Sequence, residues 1–257
     1  MSQVSTVFSK TIKEYLRERL VLFWTVAWPI IWVVIGSFSF TGGVPQEAVP
    51  YIRGSFTISM MVFALMMGGM SNLPSSIAND RENGLLSKLM SMPISPRRDF
   101  IGRILALAAF SALALVLVAA VGFACGARFS GTTTEILQAV GFFMLVLCAS
   151  AGIGLIIGTF VKGVQGAVMT GVGIVVVTAA LSGLFAPYRF LPSLLQQFAR
   201  GYPLSSANSL INFVLLGEEA AGYNPLTLSH VSATVALSLL LLILGTVLYS
   251  RLSWKAD

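Results

Sequence analysis

Six long apolar stretches separated by short polar segments set the rhythm of the chain: Leu20–Phe40, Ser55–Ala78, Ile101–Cys125, Ile136–Phe160, Ala167–Ala186 and Val231–Ser250. Each is near or above the roughly 20 residues that a helix needs to cross the hydrocarbon of a bilayer. In lipid a lone segment satisfies its own backbone only as a helix. The pattern therefore predicts an all-α membrane protein with six transmembrane helices, a single domain over 1–257. A seventh apolar stretch, Tyr202–Gly217, is shorter, opens with Pro203 and carries Asn208, Asn212 and three serines. With Pro192 and Pro203 as breakers, residues 187–217 read as a re-entrant external hairpin between spans five and six. Ahead of the first span, Val4, Val7, Phe8, Thr11, Ile12 and Tyr15 recur at helical spacing, with Lys10, Lys13, Glu14 and Arg17 mostly on the other side. Residues 1–19 are predicted to form an amphipathic helix lying in the membrane interface.

Composition agrees with this solvent, since 56% of the 257 residues are hydrophobic and 10% charged, against roughly 25% charged in a soluble domain. The net charge of +6 comes as short basic groups beside apolar runs, which are topology signals rather than a nucleic-acid-binding stripe. With both termini in the cytoplasm, twelve Lys and Arg fall inside, and only Arg53, Arg128, Arg189 and Arg200 fall outside. That split follows the positive-inside rule. The apolar run after Arg19 is too long for the roughly 7–15-residue core of a signal peptide, so it is expected to remain as the first span.

Candidate chemistry is sparse. With Arg103 counted among the cytoplasmic charges, the spans are read as free of the acidic and basic groups that couple transport to an ion gradient. His230, the single histidine, stands at the start of the last span. No lysine sits in a GxxxxGK[ST] phosphate loop, and neither HExxH nor GxSxG occurs. Cys125 and Cys148 have no metal-ligand spacing. The chain is thus expected to be no enzyme, with no catalytic, metal or cofactor site of its own, and to take its energy from outside the bilayer. An ion-coupled secondary transporter and a non-transporting membrane scaffold remain as rival readings.

The segment between spans two and three, 79–100, narrows the choice. It runs Asn79-Asp80-Arg81-Glu82-Asn83-Gly84-Leu85-Leu86, and continues through Lys88, Leu89, Pro93, Pro96 and Arg97 to Arg103. Gly84 to Met92 can make about two helical turns with Leu85, Leu86 and Leu89 as the apolar edge, ended by Pro93 and Pro96. The sequence of an acidic residue, Glu-x-Gly, a Leu-rich helix, Pro-x-Ser and a basic residue resembles the cytoplasmic loop of the type-2 ABC exporter permeases, and Tyr202-Pro203-Leu204 resembles the motif that opens their last hairpin. The resemblance implies a permease homodimer or heterodimer in the cytoplasmic membrane of a prokaryote. It also implies a separate ABC ATPase subunit that carries ATP and Mg. Glu82, Gly84, Leu85, Leu86, Leu89 and Pro93 are then expected to couple to the ATPase, and Tyr202 and Pro203 to form an external gate. The lack of an evident charged lining favours an amphipathic or lipid-like cargo. Gly122/Gly126 and Gly154/Gly158 are spaced for close helix packing, either within the chain or between copies. Met60, Met61, Met66, Met67 and Met70 cluster on the second span as core filling or as a path lining.

Overall fold

Residues 3–85, 96–186 and 188–253 are described by the structure, a computed structural model. It is 84% helical, with no strand among the described residues. Helix α1 is Gln3–Arg17. The six helices long and apolar enough to cross a membrane are α2 (Arg19–Ser39), α3 (Val49–Glu82), α4 (Arg97–Ala124), α5 (Thr133–Phe160), α6 (Val164–Leu181) and α9 (Leu228–Ser253). Between the last two lie α7 (Ser193–Gly201) and α8 (Pro203–Leu216). Six crossings leave α1 and the end of α9 at the same end of the bundle, called here the terminal end.

Helix α3 is the axis. Its most apolar window is 94% buried, whereas that of α9 is 17% buried. The surface of α9 carries Leu237, Leu240, Ile243, Leu244 and Val247 outward, as a lipid-facing helix must. At 34 residues α3 is about 51 Å long at 1.5 Å per residue, well beyond the roughly 30 Å hydrocarbon thickness. It thus has more residues than a crossing needs, and its terminal end carries Asp80, Arg81 and Glu82.

Prolines inside spans usually break a helix, because the ring crowds the carbonyl four residues back and removes a donor. Here Pro29 and Pro74 each follow a wide π turn, Phe23–Ala27 in α2 and Gly68–Asn72 in α3. The wider turn gives the ring room and keeps the helix continuous. The two wide turns are tied to each other: Asn72 Nδ2 donates to Thr25 Oγ1 at 2.8 Å, with both residues buried.

The carbonyls of the α3 wide turn are also where neighbouring helices come closest. A Cβ on Gly154 of α5 would collide with the Gly69 carbonyl oxygen, and one on Gly171 of α6 with that of Met70. Gly158 continues the first seam, its Cβ position 3.2 Å from Pro74 Cα, while Gly122 of α4 meets Thr57 of α3. These glycines pack helices within the chain. The methionines of α3 belong to the same packing, since Met60, Met66, Met67 and Met70 are fully buried.

At the terminal end α1 packs on α4, burying Thr11 and Tyr15. The closest point is Gly102, where a Cβ would lie 2.7 Å from that of Val7. Near the other end, α8 is inserted against α5, α3 and α9, and most of its side chains are buried.

The Gly69–Gly154 seam gives a direct test. Gly154→Ala puts a methyl against backbone, so α3 and α5 must separate at a cost of about 1–3 kcal/mol, read as a lowered unfolding temperature in detergent. Gly173→Ala, with nothing within 4 Å, is expected to leave that temperature unchanged or slightly raised.

Candidate functional site

The terminal end is organised by a charge inside a predicted span. Arg103 is 1% exposed, and the reading of the spans as charge-free fails at this residue. An unpaired guanidinium could not be held there, and Arg103 is paired on both sides. Its Nε donates to Asp99 Oδ2 at 2.9 Å, one turn earlier on α4, and another nitrogen pairs with the buried Asp80 of α3. A third contact runs from Nη1 to Ser76 Oγ at 3.0 Å. Asp99 also accepts from the Tyr249 hydroxyl of α9 at 2.8 Å.

Helix α1 joins the same network. Lys10 pairs with Asp80, and Glu14 accepts from Ser76 Oγ at 3.0 Å and from Asn79. Part of the polar face of α1 is therefore turned toward α3. Tyr15 lies beneath, its hydroxyl buried without a partner; burial holds its pKa above the ordinary phenol range, so it stays neutral. Four helices, α1, α3, α4 and α9, meet through these charges.

Just beyond, α3 ends at a turn where Gly84 takes φ +65°, the left-handed conformation that favours glycine. Glu82 is exposed and accepts from the Val164 N–H at 3.0 Å. It thus sits at the N-terminus of α6, where a carboxylate is favoured by the helix dipole. Arg81 reaches the Val161 carbonyl and Ser253 Oγ, each at 3.4 Å. Leu85 is half-buried beside the turn. Leu86, Leu89 and Pro93, and with them most of the expected Gly84–Met92 helix, lie outside the described residues.

The opposite end holds a cavity of about 740 Å³ between the start of α3, the segment after α6, and α8 with the turn that follows it. Its polar wall is Ser59, Asn208, Ser209 and Asn212, its apolar wall includes Tyr51, Phe56 and Leu216, and Glu47, Glu218 and Glu219 stand on it as exposed carboxylates. Asn212 donates both amide hydrogens to Asn208, to its backbone oxygen at 2.9 Å and its Oδ1 at 3.2 Å. Its own Oδ1 is buried without a partner.

Tyr202 and Pro203 form the elbow between α7 and α8 rather than the wall of this cavity. Tyr202 stacks on Phe198 with ring centroids 5.4 Å apart, and Pro203 occupies the first helical position of α8, where its missing N–H costs nothing. The elbow is anchored from both sides. Ser206 Oγ lies 2.8 Å from His230 Nε2 of α9, and Ser205 Oγ donates to the Ser182 carbonyl at 2.9 Å. Arg200 lies over the rings of Tyr223 at 4.6 Å and Tyr188 at 5.8 Å, and its Nε donates to the Tyr188 hydroxyl at 2.7 Å.

A six-span helical bundle with an inserted short helix at one end and a charged, multi-helix joint at the other defines an integral membrane protein. The sequence model of the ABC-2 type transporter family matches residues 2–216, and the chain belongs to that family. It is a membrane permease component of an ABC transporter, and the family implies an ABC ATPase as its partner. A search of curated proteins finds no match to the chain.

Exposure separates the two cations of the network. Arg103→Met leaves two buried carboxylates facing no guanidinium and is expected to destabilise the protein by about 3–5 kcal/mol, seen as loss of the monodisperse peak after mild heating. Lys10, whose side chain is 37% exposed, is expected to cost about 1 kcal/mol or less as Lys10→Met and to keep that peak.

Proposed function

We propose that the chain is the permease half of an ATP-driven exporter in the cytoplasmic membrane of a prokaryote. Both termini and the Gly84 turn then face the cytoplasm, and the permease works as a homodimer or heterodimer with ATP hydrolysed on a separate subunit. The observation that carries this reading is the continuity of α3. One helix runs from the wall of the far cavity to the turn at Gly84, and near that turn it holds α4 through Asp80, α6 through Glu82 and α9 through Arg81. A push delivered at the turn is thereby shared among several spans.

In this reading Glu82, Gly84 and Leu85, with Leu86, Leu89 and Pro93 beyond them, receive the ATPase. The α7–α8 hairpin with its elbow at Tyr202 and Pro203 closes the external end of the path. A cavity with one polar and one apolar wall supports an amphipathic cargo.

The test is co-purification in mild detergent followed by ATP hydrolysis by the complex. An ATP-hydrolysing chain is expected to accompany the permease. Glu82→Ala removes a carboxylate worth about 0.3–1 kcal/mol at a helix N-terminus, and Gly84→Val strains a left-handed position. Each is expected to leave the complex assembled while lowering permease-dependent hydrolysis about two- to fivefold, the factor corresponding to that energy. Gly42→Ala, in open space before α3, is expected to change nothing. Absence of any co-purifying ATPase, or full hydrolysis in both turn variants, overturns the reading.

A further inference from the structure

A narrow cleft of about 230 Å³ lies at the terminal end between α4 and α9, two helices that do not pack along one another. Arg97, Phe100, Thr246, Val247, Tyr249 and Ser250 line it. It is smaller than the roughly 300–1,000 Å³ of sites that enclose a whole small molecule, so anything bound in it has much of its bulk outside. Outside is the bilayer. Ile101 and Leu105 continue the face of α4 that carries Arg97, and Val247, Ile243 and Leu240 continue the face of α9 that carries Ser250. All five are exposed hydrophobics on membrane-spanning helices. The two stripes run from the cleft toward the middle of the spans for about 12–15 Å, at 1.5 Å per residue, as a bed for lipid tails, which are as apolar as leucine.

The head of the cleft is cationic. Arg97 is exposed and in no ion pair among the described residues. The carboxylate nearest to it in the chain, Asp99, is buried and taken by Arg103 and Tyr249. On the α9 side the Ser250 hydroxyl donates to the Val247 carbonyl of its own helix at 3.1 Å, a local bond that it can exchange for a charged acceptor. Lys13, Arg17, Arg19, Arg98, Lys162 and Arg251 are also exposed at this end, against Glu18 and Glu82 as exposed carboxylates among the described residues. The field at this level favours a negative headgroup.

We infer that the α4–α9 cleft binds one anionic phospholipid of the adjoining leaflet, its phosphate between Arg97 and Ser250 and an acyl chain along the two apolar stripes. Such a lipid has a structural consequence. Tyr249 forms part of the cleft wall, and its hydroxyl, held by Asp99, ties α9 to α4. A headgroup that bridges Arg97 and Ser250 adds a second tie between the same two helices, beside the Arg103 joint. The inference needs only a chain that spans a bilayer and does not rest on the exporter reading.

The test uses the full chain, stripped of lipid in a neutral detergent. Native mass spectrometry counts bound lipid and thermal unfolding reads stability, with dioleoyl phosphatidylglycerol, dioleoyl phosphatidylcholine and glycerol 3-phosphate as probes. One phosphatidylglycerol per chain is expected to be retained with a Kd about fivefold or more below that of phosphatidylcholine, the factor for one cation at an anionic surface. It is also expected to raise the unfolding temperature more. Glycerol 3-phosphate, which lacks the chains, is expected neither to bind nor to displace the lipid. Arg97→Gln is expected to abolish the preference, while Arg98→Gln, at an exposed neighbour that bonds Gln3, keeps it. Val247→Trp, at an exposed position, fills the cleft without disturbing the core and is expected to lose the tightly held lipid. Equal retention of the two lipids, a preference that survives Arg97→Gln or falls equally in Arg98→Gln, a tight lipid that persists in Val247→Trp, or displacement by glycerol 3-phosphate overturns the inference.

Discussion

A guanidinium with 1% exposure, held between two carboxylates on different helices, fixes the rest of the terminal end. Removing Arg103 and its partners from water costs several kcal/mol per ion, and that cost is met only if Asp80, Asp99, Ser76 and Tyr249 all arrive in place. The requirement sets the height of α3 against α4, and of α9 against both. The attachment of α1 follows from it, because the second oxygen of Asp80 is the one that takes Lys10. The result is a joint rather than a greasy contact.

The other half of the architecture depends on backbone proximity. Lipid-embedded helices gain little from the hydrophobic effect against one another, and association rests on close van der Waals packing through small residues. Gly154 and Gly171 bring α5 and α6 onto successive carbonyls of the α3 wide turn. Pro74 sits two residues after that turn, which therefore provides both the room for a proline and the surface for two helices. Thr25 and Asn72 repeat the pairing toward α2. Helix α3 is thus held in its middle by glycines and at its terminal end by charges, and both sets of contacts act on the same rigid rod.

The existence and number of the spans were legible because a run of some twenty apolar residues has one stable form in lipid. Arg103 was not, because a lone arginine two residues into such a run looks like a boundary charge snorkelling to water. Its i,i+4 relation to Asp99 was a usable signal, but Asp80 lies 23 residues away, beyond anything periodicity reveals. Pro29 and Pro74 inside apolar runs likewise announced an irregularity, without saying that it would be a π turn. The expected Gly84–Met92 helix lies largely outside the described residues, and the contact that Glu82 makes, with the N-terminus of α6, joins residues 82 positions apart that no local pattern connects. No single stretch announces the cavity, whose walls come from α3, the segment after α6 and α8. The serines and asparagines of α8 are visible in the sequence, but that Asn208, Ser209 and Asn212 stand on one wall of a cavity needs the neighbouring elements to be seen.

The central claim is that Arg103 and Asp80 lock α3 to α4 as one unit. A double-mutant cycle with Arg103→Met and Asp80→Asn, read by thermal unfolding of the purified protein, measures that coupling directly. The account predicts that Asp80→Asn costs far less when Arg103 is already Met, with a coupling of about 1–3 kcal/mol. Additive losses, each substitution costing the same in either background, would contradict it.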